Sequence, residues 1–385
     1  MRPFTRRSPA EGDGCRGRAL AGHLTADLLA AGNDKHLYVS YDPARYAAAL
    51  RTASKAPAGA GEDLDAYTRR QALRDHHGLA ETRILPGNLR YLKITGFEWV
   101  RDETGAVYDD AMRFLKGGEA AIVDIRGNGG GSSAAVKYLI SHFLDPDTLD
   151  MTSLEASHEP VQSRTLEYLP AGRLKGKPLY VLIDGGVGSA AEAFAYDVQQ
   201  FKLGELVGTR TAGAANNNKW VPIPPGFMLS VSYARPVHAL SHTNWEGVGV
   251  APSVEAPPAQ ALDVAEELAL KRLAEAPDLT PALRAEYGWA RVGVEARLHP
   301  VTLAPEPLKA LAGHYGKIDV ELREGALWMT RSDRPRWPRG ARLSPLTADG
   351  VFAVEGMEAL RVRLTGKALE LMWEGDAGVE GFARE

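Results

Sequence analysis

A single cysteine, Cys15, in 385 residues rules out an internal disulfide, so the fold rests on burial. No apolar run reaches the roughly 20 residues of a membrane span. None follows the basic start MRPFTRR in the manner of an export signal. On that ground the chain reads as cytoplasmic; a recorded start that is late would allow a periplasmic home. Net charge is low: 45 Lys and Arg against 49 Asp and Glu leave −4, which gives no pull toward nucleic acid or an anionic membrane. There is no HExxH, and the adjacent His76 and His77 would point apart on any regular element, so neither metal nor other cofactor is expected.

What is present is the composition of a globular protein, 44% apolar and 24% charged, in a chain long enough for two or three domains. The opening through residue 18 is polar and charged and reads as a disordered tail. Residues 19–31 carry leucines at helical spacing before a Gly32-Asn33 stop, and HLYVSYDP (36–43) reads as a strand ended by proline. APAGAGED (56–63) reads as a loop. From Asn88 the pattern alternates. Strands are expected at 88–97, 120–125, 178–184, 205–210 and 227–236, and helices at 107–115, 132–144, 189–201 and 263–274. Such alternation implies a layered α/β core with helices covering a sheet. Beyond about Pro300 the texture becomes hairpins, one turning at Glu324-Gly325 and one at Gly366-Lys367. The expected division is therefore a tail with a helical remnant (1–35), an α/β core (36–298) and a small β-rich domain (299–385).

Four features carry candidate chemistry. The run DIRGNGGG (124–131) lies between a strand and a helix, where glycines let backbone amides approach a ligand. It lacks the last glycine of GxGxxG, with Ser132 in its place, and the chain has no GK[ST] of a P-loop, which weakens phosphate binding against oxyanion stabilisation. In GGVGSAAEAF (185–194) Ser189 stands at a second strand-to-helix junction. Ser189 and Glu192 also fit an S-x-x-E capping box, which needs no catalysis. TNWEGVGV (243–250) offers Glu246 beside Trp245, and NDKHLYV offers His36 at the start of a strand. A nucleophile, a base, an acid and a glycine loop are together the components of acyl transfer.

The stretches DKHLYVSYDP, LPGNLRYLKITGF, AAIVDIRGNGGG, GSAAEAFAYDVQ, LVGTRTAGAA and TNWEGVGVAPSV, in this order, resemble the S41 peptidases, the tail-specific or C-terminal processing proteases. The similarity is to the branch with the interphotoreceptor retinoid-binding protein modules and the tricorn core protease. It implies a crotonase-like α/β fold and a peptide or protein substrate, with homo-oligomerisation left open. It further implies Ser189 as nucleophile, His36 as general base and Glu246 as supporting acid, with Glu192 and Asn244 in support. The oxyanion hole would be the amides of Ala190 and either Gly131 or Gly130. Two positions depart from the family: Ala214 stands where serine–lysine members carry the lysine, with Lys219 a few residues on, and Lys35 stands where the tricorn-like branch carries a serine. The interval 43–85 is too short for a PDZ-like insert. The same resemblance supplies a rival function, a non-catalytic module binding apolar ligands or peptides. The basic cluster RSDRPRWPRGAR (331–342) reads as a solvated hairpin loop rather than a nucleic-acid site.

Overall fold

The computed structural model describes residues 9–32, 34–54, 64–155, 158–333, 340–376 and 378–385. The loop expected at 56–63, the stop residue Asn33 and the first eight residues of the expected tail lie outside them. The chain divides into two compact units: the residues through Ile84 with Arg90–Ala261, and Leu85–Leu89 with Leu262–Glu385.

The first unit opens with helix α1, Pro9–Gly32. This corrects the tail reading, which delays the helix to residue 19. Its polar composition hides a docking face. Gly17 is buried so closely against the Tyr41 ring that a Cβ there would lie 2.7 Å from it. Thr25 Oγ1 both accepts the Val39 amide at 3.0 Å and donates to the Val39 carbonyl at 3.1 Å. Both partners sit on β1, Tyr38–Tyr41. Two helices follow that the sequence pattern does not reveal, α2 (Pro43–Ser54) and α3 (Leu64–Arg74), each burying a single alanine. Strands β2 (Leu79–Leu85) and β3 (Leu89–Ile94) lead to α4, Arg101–Lys116. That helix starts six residues before the expected one and buries Tyr108, Met112 and Leu115 along one stripe.

The next elements are β4 (Ala120–Asp124), α5 (Ser133–Ser141), β5 (Leu149–Glu155), β6 (Val161–Arg164), β7 (Leu179–Ile183), α6 (Ala190–Gln200), β8 (Glu205–Gly208), β9 (Asn217–Ile223), β10 (Phe227–His238) and β11 (Val254–Glu255). They form two sheets. One has the order β11-β8-β7-β4-β3-β2, and the other β1-β10-β5-β6 with β9 also on β10. Strands AAIVD and LYVLI are buried throughout and pair in parallel, as expected of strands covered on both faces. Strand β7 continues in parallel to β8, and β8 to β11. The core under α4, α5 and α6 runs through Met112, Val123, Leu139, Val181 and Phe194.

The second unit holds α7 (Ala261–Ala274), α8 (Pro281–Leu298) and α9 (Pro305–Leu311), so helices that the sequence division assigns to the core fall here. Its sheet is an eight-stranded antiparallel meander in chain order: β12 (Gly313–Tyr315), β13 (Ile318–Arg323), β14 (Ala326–Arg331), β15 (Ala341–Pro345), β16 (Val351–Val354), β17 (Met357–Leu364), β18 (Ala368–Trp373) and β19 (Val379–Ala383). The hairpin turns fall at Glu324-Gly325 and at Gly366, with positive φ at all three residues. The Glu385 amide donates to the His314 carbonyl at 3.0 Å and draws the ends of the meander into a nearly closed barrel around Tyr315, Met329, Phe352 and Leu371. The basic cluster at 331–342 is corrected at its described ends. Arg331 is buried, with Asp333 and Glu380 each 2.8 Å away, and 341–342 belong to β15. Residues 334–339 lie outside the described set. Among the described residues no helix is long and apolar enough to cross a membrane.

Candidate active site

Because β4 and β7 are parallel neighbours with Asp124 beside Leu182, the loops that leave their carboxyl ends run side by side. One is the glycine run, the other the serine turn. In open α/β sheets this end of the strands is where ligands bind. The first loop is pinned at its root by buried Asp124, which meets Arg126 at 2.6 Å, Lys93 at 3.1 Å and the Tyr91 hydroxyl at 2.8 Å. Burial pushes the Asp124 pKa up, but hydrogen bonds and charge from Arg126, with the Lys93 charge, hold it below the ordinary value. The two loops are then stitched together. Asp184 Oδ1 accepts the amides of Gly127 and Gly186, both at 2.9 Å, and the Gly188 amide donates to the Asn128 carbonyl at 3.0 Å.

Asn128, fully buried, shapes the glycine run from within. Its Nδ2 donates to the Ile94 carbonyl and its Oδ1 accepts the Gly130 amide at 2.9 Å. Of the two glycines left open as oxyanion donors, Gly130 is thereby removed, because its N–H already has a buried acceptor. The amides of Gly131 and Ala190 have no acceptor among the described residues. Gly130 has another task. At φ 107° it faces the serine turn, and a Cβ there would stand 2.7 Å from Ser189 Cβ and 2.9 Å from the Ala190 nitrogen. Gly130→Ala is expected to destabilise the protein by about 2–5 kcal/mol, the sum of backbone strain and overpacking, read from denaturant unfolding.

Ser189 itself sits at φ 53°, ψ −122°, a conformation that non-glycine residues avoid, at the head of α6. The turn holds it there because Glu192 accepts its amide at 3.1 Å. That is the glutamate half of the capping box, but the carboxylate does more than cap. Fully buried Glu192 also accepts the Thr211 hydroxyl at 2.5 Å, the Gly213 amide at 2.6 Å and the Ala214 amide at 2.8 Å. Burial raises its pKa and these hydrogen bonds pull it back. Glu192 therefore ties the serine turn to the loop after β8. The family lysine position, Ala214, is a buried backbone donor in that loop, and Lys219 is exposed on β9 outside the cleft lining.

His36 arrives from the other sheet. It precedes β1, whose register on β10 sets Tyr38 opposite Ser230. The Ser230 hydroxyl donates to the His36 carbonyl and accepts from Asn218 Nδ2 at 2.7 Å. Asp34 Oδ1 accepts the His36 amide at 2.9 Å and closes the turn. The outcome is a buried imidazole with Nε2 2.9 Å from Ser189 Oγ. Burial lowers the imidazole pKa, while the charges of Glu246 and Asp34 raise it.

Glu246 is held by the loop after β8: its Oε2 accepts the amides of Ala215 at 2.6 Å and Asn216 at 3.1 Å. Asn244 supports it, accepting the Glu246 amide at 3.0 Å and donating to the Pro236 carbonyl at 2.7 Å. Glu246 and His36 do not hydrogen-bond. Glu246 Oε1 and His36 Nδ1 are both buried without a hydrogen-bond partner among the described residues. Their interaction is through charge. Lys35 turns its ammonium away to the Ala212 carbonyl. Elsewhere, His77 is a buried structural residue, its Nδ1 2.9 Å from Thr104 Oγ1.

The sequence reading missed Asp34, Asn128, Thr211 and Ser230. Asp34 and Asn128 carried a local signal, an Asp or Asn two residues ahead of the amide it accepts. The hydroxyl and imidazole open onto a cleft of about 690 Å³ whose walls include Gly131, Glu98, Arg45 and Trp220.

Residues 88–256 match the family model described as Peptidase family S41. Among solved structures, the photosystem II D1 C-terminal processing protease aligns at 24% identity and a TM-score of 0.37, over 44% of this chain and 42% of that one. Mature CPAF aligns at 15% and 0.39, over 47% and 50%. The tricorn protease aligns at 18% and 0.31, over 59% of this chain and 19% of that one. The aligned part thus spans less than two thirds of each of these proteins. Residues 88–256, which carry Ser189, the glycine loop and Glu246, are thus the part of the chain that is similar to peptidase family S41.

Proposed function

We propose that this chain is a serine endopeptidase of the S41 type that cuts peptide bonds through an acyl-enzyme on Ser189, on a core of the crotonase-like type. The observation that carries the reading is the 2.9 Å separation of Ser189 Oγ and His36 Nε2, made between residues 153 positions apart. His36 Nε2 takes the hydroxyl proton as Oγ bonds to the substrate carbonyl carbon. The carbonyl π electrons move onto oxygen, where the Ala190 and Gly131 amides at the head of α6 and on the glycine loop receive the charge. Collapse expels the amine, which takes the proton back from His36. Water, deprotonated by the same imidazole, then releases the acid and restores Ser189.

Glu246 serves this cycle by its charge, which favours the imidazolium formed in each step. Asn244 fixes the loop that carries it. Fluorophosphonate labelling tests the proposal: the adduct is expected on Ser189 and lost in His36→Ala. An unlabelled wild-type protein would leave the non-catalytic binding module in its place.

The pH profile is a second check. A base must be neutral, and burial lowers the His36 pKa below 6.5, so the acid limb of kcat/KM is expected below that pH. Glu246→Gln removes a charge that raises this pKa, so the limb should move further toward acid. Movement toward alkali would contradict the electrostatic role.

A further inference from the structure

We propose that Glu98 makes the cleft selective for a peptide with a cationic side chain, Arg or Lys, on the residue that supplies the scissile carbonyl. The inference rests on the serine peptidase reading for the location of that carbonyl, and on the following geometry for the rest.

Glu98 follows the point at which the chain is bonded to the glycine run. The Phe97 amide donates to the Gly130 carbonyl at 2.9 Å and the Ser132 amide to the Phe97 carbonyl at 2.6 Å, which bridges Phe97 to Gly131. Glu98 therefore adjoins Phe97, the residue paired with Gly131, and it lines the same cleft as Ser189. A side chain on the carbon next to the bound carbonyl would enter the cleft that Glu98 lines.

The charges in the cleft differ in how they are engaged. Asp42 accepts the Arg45 amide at 2.9 Å and the Tyr67 hydroxyl at 3.2 Å. The Lys35 ammonium is bonded to the Ala212 carbonyl, and the Arg45 guanidinium lies 4.2 Å from the centre of the Trp220 ring. Glu98 is half-buried and makes no hydrogen bond or ion pair among the described residues. Burial raises its pKa, the Asp75 charge raises it further and Arg45 opposes both. A carboxylate without a partner in a partly desolvated wall is unfavourable until a cation arrives. Asp75 also lines the cleft, and Trp99 supplies apolar surface for an aliphatic stem.

Three measurements separate this inference from the catalytic one. The first uses two fluorescent peptides that differ only in Arg or norleucine at the chosen position, titrated into Ser189→Ala protein. Arg is expected to bind at least about tenfold more tightly at pH 7.5 and low salt, a discrimination of the size seen for a single charge-assisted contact. The second repeats the titration in Ser189→Ala/Glu98→Gln, where the ratio should fall to about one. Equal binding in the first protein, preference for a Glu peptide, or a ratio that survives Glu98→Gln would each overturn the inference. The third is hydrolysis of the Arg peptide by wild-type protein, whose absence would count against the Ser189 mechanism and leave the binding ratios to decide Glu98.

Discussion

Ser189→Ala is expected to lower kcat for peptide hydrolysis by at least about 10⁴-fold while the protein stays folded. Oγ is the only heavy atom removed, and its partner is the imidazole 2.9 Å away. The strained backbone at φ 53° is as accessible to alanine as to serine, so the turn should persist. The bond from the residue 189 amide to Glu192 is retained in the variant, so the stability lost should be below about 1 kcal/mol, or less than roughly 2–4 °C in Tm for a domain of this size. His36→Ala should match the catalytic loss, and the double variant should add little to either, as the proposed nucleophile–base pair requires. Additive losses would mean that the two residues act independently, and the proton transfer would have to be abandoned. Activity in Ser189→Ala equal to wild type would remove the nucleophile altogether.

Glu192→Ala should damage both stability and activity. Four donors converge on this one carboxylate: the Ser189, Gly213 and Ala214 amides and the Thr211 hydroxyl. Removing it leaves them buried without an acceptor, since Thr211 and Glu192 lie inside the protein. The expected cost is on the order of 3–5 kcal/mol, measured by denaturant unfolding. Glutamine is no conservative substitute here. Each carboxylate oxygen accepts two of the four donors, so whichever end carries the glutamine NH₂ meets donors with donors. Glu192→Gln should therefore be destabilised by about 2 kcal/mol, between wild type and alanine. Both variants should lose kcat more than KM, since Glu192 holds the serine turn and the 211–214 segment rather than substrate. The residues that follow, Ala215 and Asn216, hold Glu246, so one displacement reaches two members of the site. An alanine variant as stable as wild type would show the carboxylate to be dispensable.

The two residues illustrate what local sequence conveys. Ser189 and Glu192 three positions apart announce a helix start, and the structure keeps the Glu192-to-amide half of that motif. The three other bonds of Glu192 cross to residues 19 to 22 positions away, which no local pattern encodes. Asn128 combines the two: its bond to the Gly130 amide is a local turn two residues on, while its bond to the Ile94 carbonyl crosses 34 positions. The α1 helix failed to show for the opposite reason. Its residues are polar enough to suggest a tail, and the contacts that hold it, Gly17 on Tyr41 and Thr25 on Val39, depend on a strand formed later in the chain. By contrast AAIVD and PLYVLI were legible as buried strands because continuous apolar runs have few other uses.

The amino-acid sequence by itself determined the repertoire: buried parallel strands, glycine-rich turns at their ends, a serine heading a helix, and a histidine and an acid in turns of their own. These follow from period, size and backbone freedom, which act over a few residues. Tertiary structure alone decided that His36, carried in on a separate sheet, meets Ser189 while Glu246 acts on it only through charge. Those outcomes depend on the register of β1 against β10 and of β4 against β7. Register is a property of paired strands, and neither partner contains it alone.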